Sequence, residues 1–265
     1  MTDKDSDLSE IQLLLNIWIL SIWILNIFRE NSIMQLFKKI ILLLSSFAFL
    51  LTPLAYAMPN ALNATYSVYK GSMNLGDMNL SLRYAGKQFH YYKDTKAKGF
   101  AALITNAKIL EKVDGSFAGN KINPSSYYFM QSTRKNTRIE NTHFTGNRAQ
   151  GTYKDKNFNL KLPTGTLDRA SLELALANDI GNNKANLSYN VMERGKLKKY
   201  VFSRQGEEKL STPAGNFMTI KVKVIRTGNK RDTMFWLAKE LDYMPAKIVH
   251  REKNDVITTV IKSHR

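Results

Sequence analysis

Cysteine is missing from this sequence altogether. Its absence excludes disulfide bonds, CxxC redox chemistry, thiol nucleophiles, cysteine-based zinc sites and a lipid-modified cysteine. Histidine is scarce. His90, His143, His250 and His264 form no HxH or HExxH pattern, so no metal site is legible and strand histidines on a wet face are expected. Acidic residues are also few, 22 Asp and Glu against 39 Lys and Arg, for a formal net charge of +17. Such an excess draws a protein toward anionic surfaces: lipid headgroups, acidic glycans or nucleic acid.

The catalytic signatures are missing too. No G-x-S-x-G elbow occurs, so the commonest serine-hydrolase mark is absent. Gly71 to Met78 has the glycine spacing of a phosphate loop, but Asp77 stands where the lysine belongs and Met78 where the Ser or Thr belongs. A carboxylate there repels phosphate, so the segment reads as a turn. Glu207 and Glu208 are adjacent and point to opposite faces of a strand. Asp168, Glu173 and Asp179 are spaced for a solvated helix surface or its caps. No catalytic residue, cofactor-binding residue or metal ligand is assigned, and no cofactor is expected.

What is present divides the chain in three. Residues 1–33 are an apolar N-terminal extension, read either as a false gene start before Met34 or as a membrane segment. Residues 34–57 have the parts of a signal peptide: Lys38 and Lys39, the apolar run Ile40 to Leu51, Pro53, and Ala55-Tyr56-Ala57. Cleavage between Ala57 and Met58 is expected, which would place the rest in the periplasm, anchored to the inner membrane if residues 1–57 are retained. Residues 58–265, a span of 208 with 35 basic and 17 acidic residues, form one β domain. At that size a domain buries roughly 70% of its unfolded surface and needs no staple.

Inside that domain the hydrophobic period is two. Met78, Leu80, Leu82 and Tyr84 alternate with Asn79, Ser81 and Arg83, and Ile220, Val222 and Val224 alternate with Lys221 and Lys223. Alternation places one apolar face and one wet face on each strand. Turn residues punctuate the runs at Asn74-Leu75-Gly76, Ala85-Gly86-Lys87, Asp114-Gly115, Gly146-Asn147, Arg194-Gly195, Pro213-Ala214-Gly215 and Gly228-Asn229. One helix is expected at 167–179, with Thr166 as its cap and Leu172, Leu176 and Ile180 on one stripe. Gly99 to Asn106 is a weaker helical candidate or an apolar loop. The predicted fold is mostly β: a long curved antiparallel sheet, half-barrel or incomplete barrel, with that one helix packed on or plugging its concave side.

Four runs carry a family resemblance: TYSVYKGSMNLGDMNLSLRYAG (65–86), LPTGTLDRASLELAL (162–176), STPAGNFMTIKVKV (211–224) and MFWLAKELDYMPAKIVHRE (234–252). With their spacing they resemble the bacterial exported family called domain of unknown function 3108. The last run is also similar, more loosely, to the lipoprotein-carrier class of periplasmic half-barrels. The first family has no assigned activity, so the resemblance transfers no site residue.

Aromatic residues crowd the expected strands, where they ordinarily fill cores. Tyr91, Phe129, Tyr189, Phe202 and Trp236 are the candidates for lining an apolar ligand cavity. A lipid-like ligand needs shape and apolar walls rather than a signature, since each buried methylene contributes roughly 0.8 kcal/mol. The sequence therefore points to a non-enzymatic exported binding or carrier module for a lipid or apolar small molecule. The alternative is an envelope assembly scaffold docking on a protein, peptidoglycan or an anionic membrane. Basic residues spread through nearly every hairpin argue against nucleic acid as a partner.

Overall fold

The computed structural model describes residues 18–21, 58–226 and 231–265. The chain divides into two compact units, Met1–Ala55 and Tyr56–Arg265. In the first, residues 18–21 are helical. The expected leader at 34–57, including Ala57, and the expected turn at Gly228-Asn229 lie outside the described residues. Among the described residues no helix is long and apolar enough to cross a membrane.

The second unit alternates strands and tight turns. Its strands are β1 (Leu62–Lys70), β2 (Met73–Ala85), β3 (Gln88–Ala97), β4 (Lys108–Ala118), β5 (Lys121–Ser132), β6 (Thr137–Thr145), β7 (Arg148–Tyr153) and β8 (Lys156–Lys161). After a helix follow β9 (Leu187–Glu193), β10 (Lys196–Thr212), β11 (Gly215–Ile225), β12 (Arg231–Ala238), β13 (Pro245–Glu252) and β14 (Asp255–His264). Helix α1 (Gly99–Thr105) interrupts the β3–β4 turn, and helix α2 (Arg169–Gly181) joins β8 to β9.

These strands form one antiparallel sheet, ordered β8 back through β1, then β14 back through β9. Two meanders thus meet where β1 pairs with β14, Val68 opposite Thr259. The sheet does not close by a ladder, but it curls until its edges meet through side chains. Met192 of β9 packs with Ala149, Leu162 and Phe158 from the opposite edge. The Gly195 amide, just beyond β9, lies 3.4 Å from Glu140 Oε1 on β6. The connector to α2 covers the open edge of β9: Leu167 N–H donates to Asn190 O at 2.9 Å and Met192 N–H to Leu167 O at 2.7 Å. Half-barrel curvature is therefore the observed form, with the edge strand protected rather than exposed.

Helix α2 fills the concave side. It begins at Asp168, whose carboxylate accepts from Ala170 N–H (2.8 Å) and Ser171 N–H (2.9 Å), while Ser171 Oγ returns a contact to the Asp168 amide. The cap is Asp168 rather than Thr166, whose hydroxyl instead donates to Pro163 O at 2.7 Å. Leu172, Leu176 and Ile180 are buried as expected, but so are Ala170, Leu174, Ala175 and Ala177 from the rest of the circumference. A helix apolar all round is a core helix, not a surface one with a single stripe. The helix runs to Gly181, two residues beyond the expected end at 179.

Two expected turns prove to be strand. Asn74 to Gly76 belongs to β2, and the hairpin turns before that strand, at Gly71-Ser72. Asp114-Gly115 sits within β4 at a register shift. A Cβ on Gly115 would come within 2.6 Å of both Asn123 O and the Phe89 ring. That glycine serves close approach in the core, which local turn statistics cannot separate from a turn.

Candidate functional site

Period-two alternation sets the inner face of β3 as Phe89, Tyr91 and Lys93, and that of β4 as Glu111 and Val113. Lys93 and Glu111 are direct cross-strand partners on a buried face. Their side chains are 2.7 Å apart and about nine-tenths buried. Lys93 Nζ also reaches Glu173 Oε1 of α2 at 2.7 Å. Two tyrosines complete the cluster: Tyr91 OH donates to Glu173 Oε2 at 2.8 Å, and Tyr127 OH to Glu111 Oε1 at 2.7 Å. The Arg169 guanidinium approaches Glu111 at 3.9 Å and lies 4.9 Å from the Phe129 ring centroid. Burial alone would raise the Glu111 carboxyl, but Lys93 and Arg169 outweigh it and hold it below its usual value. Burial would likewise lower Lys93, yet Glu111 and Glu173 push it up to about 12. The cluster locks α2 to the sheet in one register.

Glu173 and Asp179 are therefore not on a solvated helix surface. Glu173 faces Lys93, and Asp179 accepts from Tyr189 OH and Lys184 Nζ, both at 2.8 Å. Because the helix lies inside the sheet, its polar residues look across at strand residues instead of at water.

Beside this cluster, between α2 and the inner face of β9–β13, lies a cavity of about 910 Å³. That falls within the roughly 300–1,000 Å³ of small-molecule sites. Leu172 and Leu176 of α2 form one wall, and Phe202, Val224 and Phe235 the other. Arg194 in the β9–β10 turn, Arg226 just past β11, Arg231 at the start of β12 and Glu252 at the end of β13 put charged residues at one end of the cavity's strands. Six Lys or Arg line the cavity (Arg169, Arg194, Lys198, Lys199, Arg226 and Arg231) against three Glu (Glu173, Glu193 and Glu252).

Several of those charges hold one another in place. The Glu193 carboxylate accepts from Tyr200 OH at 2.7 Å and Lys198 Nζ at 3.1 Å. Burial would raise its pKa, but Tyr200, Arg169 and Lys198 outweigh this and lower it. Arg226 donates to Thr233 Oγ1 at 3.0 Å, and Thr233 Oγ1 lies 2.8 Å from His250 Nδ1. Burial and then the nearby Arg226 lower the His250 pKa, which favours the neutral imidazole. His250 is thus a cavity-wall residue, whereas His90 and His143 are exposed strand positions.

The five aromatic lining candidates separate. Phe202 lines the cavity. Tyr91 and Phe129 sit in the adjoining charge cluster, and Tyr189 is bonded to Asp179. Trp236 is opposite Lys221 and Lys247, with Lys247 Nζ 4.8 Å from its ring centroid, while its neighbour Phe235 takes the cavity face. Successive strand residues point to opposite faces, so Trp236 points away from the cavity. Sequence reading missed Arg169, Glu193, Arg226 and the leucines of α2. Arg169 and Glu173 at i and i+4 on an apolar helix were the available signal. Among the described residues no group of three His, Asp or Glu could hold a metal ion.

The family comparison agrees with this architecture. A family model described as "Protein of unknown function (DUF3108)" matches residues 65–262. The chain belongs to the DUF3108 family. None of the curated protein sequences compared matches it. Among solved structures, the DUF3108 domain is similar to a β-barrel-like protein of domain of unknown function DUF1849 from Brucella abortus. The two share 7% identity with a TM-score of 0.50, over 77% of this chain and 96% of the other. A protein described as a "putative lipoprotein" from Parabacteroides distasonis aligns at 13% identity and TM-score 0.33, over 79% of this chain and 98% of the other. The first similarity shows the fold alone, and the second is too weak to support a statement about either fold or ligand.

Proposed function

We propose that the DUF3108 domain is a binding or carrier module for an anionic amphiphile, working outside the cytoplasm after export by the 34–57 leader. The observation that carries this reading is the 910 Å³ cavity, whose lining joins apolar side chains of α2 and β10–β12 to six basic residues. An acyl chain of a dozen carbons offers on the order of 10 kcal/mol of gross transfer energy to such walls, from which ordering and association costs subtract. The headgroup is selected by charge. Arg194, Lys198 and Arg226 line the cavity, and a guanidinium group can hold a phosphate or carboxylate with two hydrogen bonds at once. His250, in the same lining, adds a hydrogen-bonding ring nitrogen.

Native mass spectrometry of the purified protein with lysophosphatidylglycerol, against a neutral glyceride of equal chain length, tests the proposal. A one-to-one adduct with the anionic lipid is expected. Leu176→Trp, which fills the apolar wall, should abolish that adduct while the far-ultraviolet circular dichroism stays unchanged. No adduct, or one indifferent to Leu176→Trp, would end this reading.

A further inference from the structure

We propose that helix α1 and its flanking cations form a docking tip for an anionic lipid bilayer. The helix is apolar and unpartnered. Phe100, Leu103 and Ile104 are 67%, 72% and 58% exposed, and none of its residues is buried. Three large apolar side chains on one seven-residue helix at a sheet rim are not a packing element, since they touch no core. Met73, at the start of β2 and at the same end of the sheet, is a further exposed apolar side chain at 53%. Lys98 N–H donates to Leu75 O at 2.9 Å, which ties the helix start to the same strand.

The charge around the patch identifies the partner. Lys96 and Lys98 precede the helix, Lys108 follows it, and Arg134 and Lys135 sit in the β5–β6 turn, whose Arg134 N–H donates to Thr105 O at 2.9 Å. Lys98 is paired with Asp77, and Lys96 with Asp94 at 3.0 Å. Lys108, Arg134 and Lys135 have no acidic partner among the described residues. Apolar side chains ringed by basic ones bind membrane interfaces by inserting the former among acyl chains and setting the latter against anionic headgroups.

Topology joins this tip to the cavity. A row of cross-strand partners runs Thr233, His250, Ile257, Lys70, Met73 from the cavity wall to the apolar patch. Four strand spacings make that about 20 Å, all at one end of the sheet. The β3–β4 connection carrying α1 and the β9–β10 turn carrying Arg194 share that end. A bilayer engaged by α1 therefore meets the basic end of the cavity.

The cysteine-free sequence makes the test direct. Leu103→Cys labelled with an environment-sensitive fluorophore reports on the tip, and Asn147→Cys in the β6–β7 turn at the opposite end serves as control. Both labels sit in the same full chain, so any tethering by the N-terminal segment affects them equally. With phosphatidylglycerol vesicles the 103 label should shift to the blue, the 147 label should not, and phosphatidylcholine vesicles should move neither. Arg134→Ala with Lys135→Ala should weaken vesicle binding roughly tenfold or more. An unshifted label at 103, or equal shifts at both sites, overturns the proposal. So does a shift without vesicles that grows with protein concentration, which would mean a second copy covers the helix. The assay reads the helix and not the cavity, so its failure leaves the ligand reading standing, and a missing lipid adduct leaves the docking tip standing.

Discussion

Lys93→Met is the sharpest test of how the helix is held. The substitution keeps most of the aliphatic stem and removes the one ammonium placed 2.7 Å from both Glu111 and Glu173. Glu111 then keeps only Arg169, at 3.9 Å, and Glu173 keeps the Tyr91 hydroxyl. Breaking a buried ion pair from one side costs about 3–5 kcal/mol, because the other charge stays desolvated. Urea unfolding at pH 7.5 should show that loss as a lower midpoint with an unchanged slope. The pH dependence is specific. In the wild type the Glu111 carboxyl sits below its unfolded value, so its contribution is present above about pH 4.5 and is lost as pH falls through the folded value. Without Lys93, burial weighs more heavily on the Glu111 carboxyl and pushes it up. The penalty should therefore be largest near neutrality and shrink toward pH 4, where protonation relieves it. Adding Glu111→Gln and Glu173→Gln should recover most of the loss, since a neutral polar set carries no unpaired charge. A Lys93→Met protein within 1 kcal/mol of wild type at both pH values, or a triple variant no better than the single one, would refute the reasoning.

Two further outcomes follow from the seam where the sheet edges meet and from its backbone spacing. Burial pushes the Glu140 carboxyl up to about 7, with partial relief from the Gly195 and Arg194 amides, and its Oε2 has no hydrogen-bond partner. A raised carboxyl stabilises the fold fully below its unfolded pKa, and the contribution is lost as pH rises through about 7. Glu140→Gln should therefore gain up to about 3 kcal/mol over wild type at pH 8.5 and much less at pH 5, measured by denaturant unfolding; equal effects at both pH values would contradict this. Gly151→Ala should lower stability by about 2 kcal/mol, because its Cβ would fall 1.8 Å from Asn141 O, a backbone atom of the paired strand. An unchanged thermal midpoint would show that β6 and β7 can separate more easily than their ladder implies.

Much of the fold was legible in short stretches of sequence. The alternation Phe89, Tyr91, Lys93 and the hairpin signals at Gly86 and Gly146 depend on neighbours a few residues away, and so do strand and turn formation. The same alternation already placed Lys93 and Glu111 on apolar faces, an anomaly that marks a buried pair once the strands are known to be adjacent. What it could not show was Glu173 as the second carboxylate on Lys93, 80 residues away.

By itself, the sequence determined a cysteine-free, basic, mostly antiparallel β domain with one strong helix, because backbone propensity and side-chain alternation are local. Only the tertiary structure decided that the sheet curls until its edges touch, that α2 is buried around its whole circumference, and that a cavity lined with basic residues remains beside the helix. Those outcomes depend on which distant faces meet as the sheet bends, and so on long-range packing and charge pairing that no local pattern records.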